Sequence, residues 1–475
     1  MFGHARRNQV WTMFKGRFMS EHTRMTASFA LMSGAQMGRL PSIHVLTPLR
    51  RGAGIGAALL AAMLVMIAGA ARAQSHAEFV MVGATPAVVH RPDTGPAPHV
   101  AILYENGMSV THPMCTEMAK RGFMTLCIIE SPTGDVWENV ALDVKAGVKY
   151  LRSQPGITKV VLYGHSGGGG IASFYQAVAE NGVVFCQDPK KLSACGDQLA
   201  GLPPADGVLF PDAHPGFGVM AVRMVNPSMT TDGLKLHVDP VLDPYDPQNG
   251  FNPNGPSHYT PEFQERYFKA QAQVMDQLIA KAQQLQARVR SGEITDPTAD
   301  QVAILGFGYG THLDMMDPSI DSLMQTREPR RLLRNDGSIA TETIHSVAVA
   351  MNVQPAAARR GVSESTSAQF LSRFAARATD SVSDIDFCSA NSVTECNTRF
   401  IHVPVLFIAA GAGTFIPDEE LMYETSPAKD KEYIVVEGAL HGGQPCVPCE
   451  KMPGQYSNSE RNMYDYMTKW INQRF

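Results

Sequence analysis

Apolar runs of four to seven residues alternate along this chain with longer stretches whose apolar positions recur at helical spacing. Glu78 to Gly83 and Ala87 to His90 pattern as an opening hairpin, and His99 to Tyr104 (HVAILY) as a buried strand. A helix is expected from about His112 to Arg121, a strand from Phe123 to Ile129, and a helix from about Val136 to Arg152. In that last helix Trp137, Val140, Ala141, Val144 and Val148 form one face. Lys159 to Tyr163 (KVVLY) is the next strand; it runs into a glycine-rich turn and a helix from Gly168 to about Glu180. Another strand, Gly207 to Phe210, ends at Pro211-Asp212. Alternation of this kind builds a doubly wound, mostly parallel sheet.

The pattern then lapses. Strand-like runs return at Val403 to Ala410 (VPVLFIAA) and Glu432 to Val436, with a closing helix from about Ser459 to Asn472. The intervening stretch of about 190 residues is far longer than a connection needs. It reads as a large, mainly helical cap inserted after the sixth strand. Its clearest element is a long helix, Thr260 to Arg290, with Phe268, Ala272, Met275, Leu278, Ala282 and Leu285 as a core-packing stripe. The divisions expected are 1–73, an N-terminal extension and signal; 74–215, the first part of the core; 216–400, the cap; and 401–475, the second part of the core.

The N-terminal stretch is different in kind. Arg50-Arg51 precede the run Ala53 to Ala71, which meets Ala71-Arg72-Ala73. A basic region, an apolar region and a small-x-small site make a secretory signal, so the body is expected outside the cytoplasm, in the periplasm or secreted. An uncleaved membrane anchor is the alternative, since the apolar run can just span a bilayer. The residues before about Met37 have no clear periodicity and are left out of the fold reading.

Composition narrows the function. Charged residues are 18% and Lys+Arg 40 stand against Asp+Glu 45, so no basic excess favours nucleic acid as a partner. The eight Cys residues fall as near neighbours: 115 and 127, 186 and 195, 388 and 396, 446 and 449. In an exported chain this spacing predicts local disulfides. A buried free thiol at Cys127 and a half zinc site at Cys446 and Cys449 are the competing readings.

One pentapeptide carries chemistry. Gly164-His165-Ser166-Gly167-Gly168 stands between the KVVLY strand and a helix, where a turn with small flanking residues lifts the Ser166 Oγ above the sheet. No lysine stands in the turn, which excludes a phosphate-binding loop. Serine needs a base to act as a nucleophile, and His441, just after the last strand and followed by Gly442 and Gly443, is placed for it.

With these motifs, the stretches from about Glu78 to Asp212 and from Val403 to Phe475 resemble the α/β-hydrolase superfamily. The resemblance implies ester or amide cleavage through an acyl-enzyme on a small-molecule substrate, without a cofactor or metal. It implies oxyanion donors at Gly167 and at Gly107 or its neighbour Met108. A triad acid is usual a few residues after the strand at Val403 to Ala410, but Gly413 stands there. Asp212 resembles a second arrangement, found in a subset of haloalkane dehalogenases, with the acid after the strand that follows the nucleophile helix. Asp212 is the acid favoured, and Asp418, Glu419 and Glu420 remain alternatives. A carboxylic-ester hydrolase is the reading adopted; a serine peptidase or amidase of the same fold and an inactive binding module are the others. The aromatic residues Phe251, Tyr259, Phe263, Tyr267, Phe307 and Tyr309 of the expected cap do not reveal which of them face a pocket.

Overall fold

The computed structural model describes residues 74–106, 112–128, 136–233 and 235–475; the signal segment and the candidate donors Gly107 and Met108 lie outside them. In chain order the main elements begin with the hairpin β1 (Ser75–Val82) and β2 (Thr85–Pro92), then β3 (Val100–Glu105), α1 (Pro113–Lys120), β4 (Met124–Ile128) and α2 (Trp137–Arg152). They continue with β5 (Lys159–Tyr163), α3 (Gly168–Asn181), β6 (Gly207–Pro211), α4 (Phe217–Met224) and α5 (Pro261–Arg290). The last are β7 (Arg330–Leu333), β8 (Ile339–Glu342), β9 (Val405–Ala410), α6 (Ile416–Thr425), β10 (Lys431–Val436) and α7 (Ser459–Asn472).

These strands form one ten-stranded sheet in the order β1-β2-β4-β3-β5-β6-β9-β10-β7-β8. From β4 to β7 all neighbours are parallel, while β1–β2, β2–β4 and β7–β8 are antiparallel. Every residue of β3, β4, β6 and β9 is buried, as strands covered on both faces must be. The pleat divides their side chains between two cores. Leu103, Leu126, Leu162 and Phe407 pack on one face with α2, α3 and α6, and Ile102, Cys127, Val161 and Leu406 pack on the other with α1 and α7. The sheet is therefore doubly wound, as expected.

The stretch between Asp212 and Val403 carries three two-stranded sheets besides its helices, and it returns to the core where a separate insertion was expected. It sends β7 and β8 back to the main sheet, where Leu332 and Leu333 pair in parallel with Val435 and Val436 of β10. Segments such as RRLL and IATE, next to and at the edge of the sheet, are short and half polar, so they carry no apolar run to read. The long helix α5 spans nearly its expected range and is capped by Thr260, whose Oγ1 accepts the Phe263 N–H at 3.3 Å, with Pro261 opening the first turn. Its buried face runs through Phe263, Tyr267, Gln271, Ala272, Met275, Ile279 and Ala282. Phe268, Leu278 and Leu285 sit half-buried at its margin. Phe251, Tyr259, Phe263 and Tyr267 join a separate third core, so these aromatics are structural rather than pocket-lining.

All four near-neighbour cysteine pairs are disulfides: Cys115–Cys127, Cys186–Cys195, Cys388–Cys396 and Cys446–Cys449. The free-thiol reading of Cys127 and the zinc reading of Cys446 and Cys449 are corrected by these bonds. Among the described residues no helix is long and apolar enough to cross a membrane.

Candidate active site

The site forms at the carboxyl ends of the central strands, where loops from neighbouring parallel strands converge. Leaving β5, the chain turns at Ser166 with φ of 56°, a left-handed conformation that costs an L-residue roughly 1–2 kcal/mol. The surroundings demand glycine in the residues that follow it. A Cβ on Gly168 would lie 2.7 Å from the Glu105 carbonyl oxygen, and one on Gly169 would lie 2.6 Å from Ala213 Cβ. Gly167 caps α3 at its N-terminus, and its N–H donates to no described backbone carbonyl. Ser166 and Ala213 form an isolated parallel bridge, in which Ser166 N–H donates to the Asp212 carbonyl at 3.3 Å and His214 N–H to the Ser166 carbonyl at 3.4 Å.

Asp212 is buried, with φ of 46°, and it is the carboxylate that reaches His441. His441 Nδ1 and Asp212 Oδ2 are 2.5 Å apart, while Asp212 Oδ1 accepts the Ala410 N–H at 3.0 Å. The acid is thus held from β9 although it belongs to the end of β6. His441 keeps 46% of its side chain exposed, which leaves the rest of the ring open above the sheet.

Asp418, Glu419 and Glu420 are each engaged elsewhere. Asp418 receives both terminal nitrogens of Arg223, at 2.8 and 2.9 Å. Glu419 accepts the Ala213 N–H at 2.5 Å. Glu420 takes the backbone N–H groups of Arg327 and Glu328 and the Arg330 Nε. Helix α6 turns all three away from the imidazole. Gly413 lies close to the acid instead: a Cβ there would stand 3.3 Å from Asp212 Oδ1, so a side chain would crowd the carboxylate already in place.

Three further histidines surround the site, and none of them was identified from the sequence as a site residue. His165 donates from Nε2 to the His441 carbonyl at 2.7 Å, and the two rings are 4.5 Å apart. His112 lies 4.9 Å from His165, and its Nδ1 accepts the Met114 N–H at the start of α1. His214 Nδ1 accepts the Gly216 N–H at 3.1 Å. Burial, reinforced by His441, holds His112 down at about 4 and His214 at about 3, and keeps His165 well below the ordinary imidazole value. These three are therefore neutral at pH 7. Phe415 packs against the His441 ring at 5.8 Å and Phe217 against His214 at 5.1 Å, so apolar walls flank the polar centre. Isolated histidines carry no signal in a sequence; only the folded loops bring them together.

No family model matches the chain, and no curated protein does. Among solved structures, a hypothetical protein from Pseudomonas aeruginosa is 16% identical, with 86% of this chain and 95% of that chain covered, at a TM-score of 0.37. A hormone-sensitive lipase from a metagenome library is 10% identical over 89% of this chain and 94% of its own, with a TM-score of 0.38. A dienelactone hydrolase from Anabaena variabilis is 10% identical over 85% of this chain and 99% of its own, with a TM-score of 0.34. The fold is settled by the molecule's own topology. With an antiparallel second strand, the crossover β4-β3-β5 and a serine on the tight turn between β5 and α3, the chain has the α/β-hydrolase fold.

Proposed function

We propose that this protein is a serine hydrolase that cleaves a carboxylic ester through an acyl-enzyme, with Ser166 as nucleophile, His441 as base and Asp212 as the acid that orients it. The observation that carries the reading is the 2.5 Å contact between Asp212 Oδ2 and His441 Nδ1 beside a serine held at positive φ on a strand-to-helix turn. With Nδ1 engaged by the carboxylate, Nε2 is the nitrogen left to exchange a proton with Ser166. Ser166 Oγ attacks the ester carbonyl carbon as its proton passes to His441 Nε2. The carbon–oxygen bond to the alcohol breaks, and the alcohol leaves with that proton. Water then repeats the sequence on the Ser166 ester and releases the acid.

The oxyanion that forms in each step is assigned to the Gly167 N–H, at the start of α3, with Gly107 as the second donor. Removing one such donor typically costs about 10²–10³ in kcat. The walls formed by Phe217 and Phe415 suit a small or medium, partly apolar ester. Four disulfides accord with an oxidising compartment, which supports export of the chain.

A fluorophosphonate probe followed by peptide mass spectrometry tests the reading. Adduct at Ser166, lost in Ser166→Ala and His441→Ala, is the expected result. Folded protein that ignores the probe and every p-nitrophenyl ester of a graded chain-length series is a binding module instead.

A further inference from the structure

Glu419 lies in the first turn of α6 and is fully buried, with 0% of its surface exposed. Its Oε1 accepts the Ala213 N–H at 2.5 Å. Ala213 is the residue bridged to Ser166, and it directly follows Asp212. A single carboxyl group thus holds the peptide on which the nucleophile's turn and the acid's turn meet. Both turns are conformationally costly, with Ser166 at φ 56° and Asp212 at φ 46°. Strained positions of this kind persist only when their surroundings over-determine them.

The neighbours of Glu419 show what kind of carboxyl it is. Asp418 and Glu420 each have a guanidinium partner, but among the described residues Glu419 has no cationic one. The titratable groups it faces are Asp212 and Asp418, with Tyr433 on β10. A second buried carboxylate next to Asp212 would compete for the positive charge that develops on His441. Burial first, and then Asp212, push the Glu419 carboxyl well above the usual range.

Building on the Ser166–His441–Asp212 reading, we propose that Glu419 is a positioning residue whose side-chain oxygen fixes the Ala213 peptide and with it the placement of Asp212 against Ser166. It touches no substrate. Its effect passes through the backbone, where a displacement of about 1 Å is enough to cost roughly 10²-fold in rate.

Two substitutions separate this role from that of a charged acid. Glu419→Gln keeps a neutral oxygen acceptor of the same reach, and Glu419→Met keeps the length without the acceptor. Glu419→Gln is expected to hold kcat within about threefold of the parent, while Glu419→Met loses about 30- to 300-fold in kcat with KM little changed. Loss of kcat in Glu419→Gln by about 100-fold or more overturns the proposal, since a charge would then be required. That result decides the matter even where Glu419→Met does not fold. The low-field proton resonance of the Asp212–His441 hydrogen bond gives a second readout that needs no turnover. It should persist in Glu419→Gln and shift or vanish in Glu419→Met; an unchanged resonance in folded Glu419→Met also overturns the proposal. A parent protein inert to the phosphonate fails the functional reading alone, because the resonance still tests Glu419.

Discussion

His165, next to Ser166 in the chain, donates from Nε2 to the carbonyl of His441 at 2.7 Å, so the nucleophile's own turn holds the loop of the base. The proton must sit on Nε2, because a carbonyl can only accept. His165→Gln retains a donor of similar reach, whereas His165→Leu leaves the carbonyl unpaired. Steady-state kinetics should show His165→Leu reduced about tenfold to a hundredfold in kcat and His165→Gln much less affected. Equal losses in both would assign the effect to ring packing rather than to the hydrogen bond.

Amidating the acid separates orientation from folding. Asp212→Asn should unfold near the parent temperature, since Asn tolerates positive φ, yet lose roughly 10⁴ in kcat by favouring the wrong imidazole tautomer. Glu420→Gln should do the reverse. It weakens the grip on the Arg327 and Glu328 N–H groups and on Arg330, costing about 1–3 kcal/mol of stability while kcat stays near the parent value. Thermal melts and kinetics of the two variants together check the pair.

The strain at Ser166 is itself measurable. Ser166→Ala and Ser166→Gly should both abolish turnover and probe labelling. Glycine adopts φ of 56° without steric cost, so urea unfolding should find Ser166→Gly more stable than Ser166→Ala by about 1 kcal/mol. Equal stabilities would mean that the turn is relaxed.

Acid should weaken the fold through the histidines. His112, His165, His214 and His312 are neutral when folded, with pKa values pushed down by burial, and each takes up a proton on unfolding below its ordinary value near 6.5. Asp314, raised to about 6, and Glu419 work in the opposite direction, since folding holds their protons. The four histidines outweigh these two carboxyls, so stability is expected to fall as pH drops from about 6.5 toward 5. His112→Asn preserves the helix cap and removes one titrating group, so it should flatten that slope. Urea midpoints measured at half-unit steps from pH 7 to 4.5 give the slope directly.

Legibility in the sequence followed burial. The strands β3 to β6 and β9 were readable because both faces are covered and their apolar runs are unbroken. Helix α5 was readable because Phe268, Ala272, Met275, Leu278, Ala282 and Leu285 recur at helical spacing. The edge strand β8 and its neighbour β7 were not, since they are short and half polar. Ser166 stood out through its glycines and His441 through its position after the last strand. Asp212 was one of four carboxylates on two converging loops, and choosing among them requires knowing where α6 points. The ring of buried histidines depends wholly on contacts between distant segments.

Strands β7 and β8 also bear on how substrate gets in and out. The stretch from 216 to 400 is not tethered by two flexible strings; it is stitched into the main sheet by the β7–β10 ladder, by Val347 N–H to the Gly411 carbonyl, and by Arg327 and Arg330 against Glu420 and Glu424. A swing of the whole stretch about a hinge would tear the β7–β10 ladder near the edge of the main sheet. Access is therefore expected through local loop breathing at a doorway of nearly fixed frame. Such an entrance sorts substrates by size before chemistry begins, and turnover need not wait for a large domain to open.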